Sequence, residues 1–169
     1  RNCEVLDCVI QGFSVPRKGI IVNCRGNAAY GPLFYVHNDS YTSQKIEIEV
    51  LPAPHGIGDH PLAAIKGKDH RIKFTSKNNK GAQLRRPIII GYPMRFDFLS
   101  WDFPKVPAGM ESLLKKFGPE RYTAERIHLQ NETPYPVVLG EHSKGNQVIS
   151  QGKINDLGSG NKISLSAKK

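Results

Sequence analysis

Cysteine is scarce in this chain: Cys3, Cys8 and Cys24 stand close together and none follows. That excludes more than one intramolecular disulfide and leaves one thiol over. The three have no C-x-x-C element and no histidine at ligand spacing, which argues against zinc. A Cys8–Cys24 bridge would close a loop of about 15 residues and contribute roughly 3 kcal/mol on the chain-entropy model; an oxidising compartment is compatible with it. Long apolar runs are missing too. None approaches the roughly 20 residues a membrane-crossing helix needs, and RNCEVLDCVI lacks a signal-peptide pattern, so a secreted form would already have lost its leader. Acidic residues are few, 15 against 24 lysines and arginines. The resulting net charge of +9 and pI near 9.6 favour a polyanionic partner, nucleic acid first and an anionic surface second.

What is present suffices for one folded domain. The chain has 169 residues, 38% of them hydrophobic, with seven Phe and six Tyr, enough to bury a real core. VIQGF at 9–13 reads as a short strand. Ser14 before Val15-Pro16 is a reasonable helix cap, and Ile20, Ile21, Cys24 and Ala28 follow at helical spacing, weakened by Gly19, Asn23 and Gly26. LFYV, a polar turn and the alternating KIEIEV then predict a hairpin between residues 33 and 50. LPAPHGIGDHP is a loop. No internal repeat is visible.

Residues 66–86 hold eight Lys or Arg against the single Asp69, with His70 and Phe74 set among them. This is either a solvated basic loop or a surface that tracks an RNA backbone, with an aromatic ring offered for stacking. PIIIGYP at 87–93 is the most apolar strand candidate and the expected centre of a sheet. Met110, Leu113, Leu114 and Phe117 fall at i, i+3, i+4 and i+7, an amphipathic helix ended by Gly118-Pro119.

From Phe117 to Gly145 the pattern predicts a second hairpin. Arg126, His128 and Gln130 alternate with Ile127 and Leu129, Asn131-Glu132-Thr133-Pro134 makes the turn, and the arm PVVLG delivers Glu141 and His142. A guanidinium and an imidazole on paired strands would form a phosphate site, since Arg presents a planar fork to phosphate oxygens and His moves a proton near neutral pH. The plain alternative is an ordinary surface hairpin. Two sequons, at Asn38 and Asn131, are compatible with secretion.

The motifs AERIHLQNE (124–132), VVLGEHSKGNQ (137–147) and IIIGYPM (88–94), taken in order, resemble the small secreted guanyl-type ribonucleases and sarcin-like ribotoxins of fungi. The resemblance covers the C-terminal half, with 30–65 read as an insertion in a single domain. It implies an α+β fold, a twisted antiparallel sheet carrying one or two helices. By the same resemblance Arg126 holds the scissile phosphate and His142 is the general acid. The second histidine of the site is His70 by its place before the central strand, or His55 by its preceding proline. The general-base glutamate of that family falls on Gly91, and glycine can take no proton.

The resemblance therefore implies a disarmed relative, close to the ribonuclease-like effectors secreted by powdery mildews and acting in or around a plant cell. Arg126, His128, His142 and Lys144, with the basic run at Arg71, Lys73 and Phe74, would hold RNA or a ribosome, and a host protein or immune receptor would read surface loops. No metal, cofactor or membrane enters this expectation. Active cleavage and a purely protein-binding role are its rivals.

Overall fold

The computed structural model describes the backbone strands within residues 2–35 and, with side chains, residues 45–51, 61–78, 86–91 and 123–167. The strands are β1 (Asn2–Leu6), β2 (Val9–Gln11), β3 (Phe13–Ser14), β4 (Lys18–Asn27), β5 (Phe34–Tyr35), β6 (Lys45–Val50), β7 (Ala63–Ile65), β8 (Gly67–Lys68) and β9 (Arg71–Thr75). They continue with β10 (Ile88–Ile90), β11 (Ala124–Glu125), β12 (His128–Glu132), β13 (Val137–Leu139), β14 (Ser143–Lys144), β15 (Gln147–Ser150), β16 (Ile154–Asp156) and β17 (Lys162–Leu165). Every pairing among them is parallel.

Three sheets result. Sheet A runs β1-β4-β6-β9-β12-β15-β17 with β2 also on β4; sheet B runs β16-β13-β10-β7-β5-β3; sheet C runs β14-β11-β8. Consecutive strands never pair with each other across a turn. The chain passes through B, then C, then A, and each strand pairs with its counterpart from the preceding pass: β7, β8 and β9 under β10, β11 and β12, and these under β13, β14 and β15. Such a path is a coil whose sheets are its sides, a parallel β-solenoid in which each turn contacts its neighbours.

This corrects the expected α+β fold with its antiparallel sheet. Among the described residues there is no helix and no antiparallel pair. Strict alternation identified KIEIEV and IHLQN as strands but could not name their partners, because a period of two is common to parallel and antiparallel sheets. β12 and β13, expected as two arms of one hairpin, lie in different sheets; β5 and β6 likewise. The weak helix expected after Val15 is strand β4, where Ile20, Ile21 and Val22 outweigh a helical pattern already diluted by glycine and asparagine. The helix expected around Met110 to Phe117 lies outside the described residues, as do His55, Asn38, Cys8 and the side chains of Cys3 and Cys24.

The core lies inside the coil. In sheet A the inward row Ile46, Ile72, Leu129 and Val148 is buried, and Ile48 and Phe74 stack in the next row. Sheet B contributes Ala63, Ile65, Ile88, Ile90, Val137 and Leu139. Its strands β7, β10 and β13 are buried at every position, as continuous apolar runs such as III and VVL demand, while the edge strand β16 is half-buried. Repetition exists in space without a visible sequence repeat, because the successive rungs Ala63, Ile88, Val137 and Ile154 are unevenly separated in the chain.

The corner between sheets C and A shows how local sequence holds the coil. Asp69, Arg126, Gly145 and Gly160 occupy the same place on four successive turns, and all have left-handed φ, from 53° to 63°. The next residue points inward: His70, Ile127, Asn146 and Asn161. Asn146 accepts from the Ile127 backbone N–H at 2.8 Å through Oδ1 and donates to the Ala124 carbonyl at 3.1 Å, while Asn161 Oδ1 accepts from the Asn146 N–H at 2.9 Å. Side-chain amides thus satisfy buried backbone groups where no ladder bond reaches. Asn131, 1% exposed, donates to the Tyr135 carbonyl and to Ser150 Oγ. In the folded chain its sequon is therefore closed to glycosylation.

Candidate anionic-ligand face

The alternation that buries one side of sheet A exposes the other. In register across five strands stand Lys45, Arg71, His128, Gln147 and Lys162, one per turn. Beside them runs a second row, Glu47, Lys73, Gln130, Ile149 and Ser164. Neighbouring strands are about 4.8 Å apart, so the first row extends for about 19 Å along the coil. Residues of both rows border a shallow groove of about 460 Å³, floored by the edges of Ile46, Ile72 and Leu129.

The charges on this face are unequally engaged. Lys45 Nζ lies 3.0 Å from Glu47, and Lys73 Nζ 3.1 Å from Glu132, which also accepts from Gln130 Nε2 at 2.6 Å. Arg71, His128, Gln147 and Lys162 make no side-chain hydrogen bond or ion pair among the described residues, and all four are exposed. An exposed guanidinium without a carboxylate partner is free to offer its planar fork to a ligand.

The other expected site residues are distributed elsewhere. Arg126 sits at the C–A corner, where Nε and Nη2 donate to the two carboxylate oxygens of Asp69 at 2.7 and 2.9 Å. Those hydrogen bonds hold the Asp69 carboxyl below the usual carboxylate range and raise the Arg126 guanidinium above its own. Its fork is therefore occupied. Phe74 is fully buried and presents no stacking face. His70 is also fully buried: Nε2 donates to the Lys66 carbonyl at 3.1 Å, Nδ1 has no partner, and burial pushes the imidazole down to about 4. Lys144 lies on sheet C, in line with Glu125 and Lys68, which pair at 3.2 Å.

His142 and Gly91 do meet, through their backbones. The His142 N–H donates to the Gly91 carbonyl at 3.2 Å at the corner between sheets B and C. Gly91 has φ of +63°, and a Cβ there would lie 2.6 Å from the Ser143 nitrogen and 2.7 Å from the His142 carbonyl carbon. Space filled by a neighbouring turn requires glycine at this point, so its lack of a carboxylate has a structural cause. Of the expected residues, then, the structure sets Arg71, Lys73 and His128 on one face, engages Arg126 with Asp69 at the corner, buries His70, and places His142 and Lys144 away from sheet A.

Lys45, Gln147 and Lys162 were not anticipated, whereas Gln130 was expected on the polar face beside His128. The signal was present only in part: KIEIEV, RIKFT and KISL open on a basic residue and then alternate, whereas HLQNE and QVIS open on a polar residue without continuing the alternation. Only the coil aligns those openings. No protein-family model matches the chain, and no curated protein is significantly similar to it. The functional reading therefore rests on this geometry.

Proposed function

We propose that this protein binds a linear polyanion along the outer face of sheet A, as a binding module without cleavage chemistry of its own. The observation that carries the proposal is the in-register row Lys45–Arg71–His128–Gln147–Lys162, in which Arg71 and Lys162 are unpaired among the described residues. A repeating surface favours a repeating ligand, because each turn offers an equivalent contact and successive contacts share one loss of translational freedom. The net charge of +9 draws such a ligand toward the face. RNA belongs to this class, and Arg71, Lys73 and His128 are its expected contacts here. Cleavage is not part of the proposal, since Arg126 is held by Asp69 and no proton-accepting side chain fits at Gly91.

Retention on immobilised heparin tests the proposal. Arg71→Glu should elute at clearly lower salt than the parent protein, whereas Arg126→Glu should shift little beyond the change in net charge. Equal shifts for the two reversals would show that charge alone is read, and would remove the face from the argument.

A further inference from the structure

Resting on that reading, we infer that the ligand is a uronic-acid polysaccharide lying across the strands, with successive sugars on successive turns. Three observations point the same way. First, the exposed large apolar side chains among the described residues are Ile149, Ile163 and Leu165, none of them aromatic, and Phe74 and Tyr135 are buried. Single-stranded nucleic acid is held largely by base stacking on aromatic rings, and the described residues of this face supply none.

Second, the free positive charge is sparse. Arg71 and Lys162 stand three turns apart, about 14 Å at the usual strand spacing, with His128 and the amide of Gln147 between them. Lys45 and Lys73 are shared with Glu47 and Glu132. A ligand that turned every charge toward the sheet would place negative charge directly against those two glutamates. A chain of sugars whose carboxylates face alternate sides would not. Third, the amides of Gln130 and Gln147 and the carboxylates of Glu47 and Glu132 supply donors and acceptors suited to sugar hydroxyls. A bare phosphate backbone would use only the donors. One turn of the coil advances about as far as one pyranose ring with its glycosidic oxygen, so a straight polysaccharide keeps register with the row, and about four or five rings span it.

The test titrates the whole chain with α-1,4-linked oligogalacturonates from dimer to octamer, with maltooligosaccharides of the same lengths, and with oligouridylates of the same charge. Affinity for the oligogalacturonates should rise with each ring up to about four or five and then level. Arg71→Ala should weaken the longest by about tenfold or more, Lys162→Ala less, and both comparison series should bind at least tenfold more weakly. Oligouridylate binding that matches or exceeds the oligogalacturonates, with the same loss in Arg71→Ala, would overturn the sugar assignment and leave the polyanion face standing. Arg71-independent binding of every probe, or none at all, would overturn both.

Discussion

Arg71 and Arg126 stand close in the coil, one at the start of a sheet A strand and the other just before the start of the next, yet they serve different ends. Arg126 lies in a left-handed corner and is gripped through two nitrogens by Asp69, its counterpart on the preceding turn. Arg71 lies in regular strand, facing outward, with no described residue gripping it. The contrast extends to their surroundings. At the corner, side chains are consumed by one another and by the backbone; on the outer face of sheet A, Arg71, His128, Gln147 and Lys162 are left to solvent. The side chain's own charge marks neither role, because both residues are arginines. Position in the coil decides which one is available.

If that division holds, substitutions at the corners change stability and those on the outer face change binding. The largest effect is expected at Gly91. Gly91→Glu would combine left-handed strain with a side chain driven into the backbone of Ser143 and His142, costing roughly 3–5 kcal/mol. Chemical denaturation should show a large loss of stability, and ribonuclease assays no gain of activity. A stable Gly91→Glu protein that cuts RNA would restore the vacated-base account.

Asn146→Ala comes next, since it orphans the Ile127 N–H and the Ala124 carbonyl inside the coil, at about 2–4 kcal/mol. Its oligosaccharide affinity, measured under folded conditions, should stay near the parent value.

His70 gives a pH-dependent version of the same distinction. Its folded value, about 4, lies below the ordinary 6.5 because burial disfavours the charged ring. The unfolded chain therefore takes up a proton first as pH falls. The neutral ring's contribution is complete above pH 6.5 and is lost as the pH falls through that value toward 4, by up to roughly 3 kcal/mol. Denaturant midpoints taken across this window should fall with acid, and His70→Gln should flatten the slope. An unchanged slope in the variant would assign the acid sensitivity to other groups.

Smaller effects sharpen the comparison from the other side. Arg71→Ala should leave stability within about 0.5 kcal/mol, as exposed substitutions do, while weakening oligogalacturonate binding about tenfold. Arg126→Ala should do neither by much for the ligand. Calorimetric titration of the two variants side by side would show whether the arginines differ as their settings require.

A good part of the strand content was legible. KIEIEV, RIKFT and RIHLQ announce one buried and one wet face through alternation, and III announces a strand buried on both. The partners were not legible, because hydrogen-bond direction leaves no trace in a period of two. Gly91 misled for a related reason: read against a ribonuclease pattern it is a missing base, whereas in the coil it is the residue without a side chain that a close backbone crossing needs. Asn131 likewise carries a glycosylation triplet that its burial closes.

What the sequence determined by itself was chemical: a strongly basic chain, strands with basic outer positions, and arginines, histidines and amides in alternation with aliphatic residues. Those follow from composition and local periodicity, which need no knowledge of neighbours. Tertiary structure alone decided which of these side chains meet. Parallel stacking of turns separated by unequal lengths of chain set Arg71, His128, Gln147 and Lys162 in one row and turned Phe74 and His70 inward. Register between distant strands comes from packing the whole coil, and no short stretch contains it.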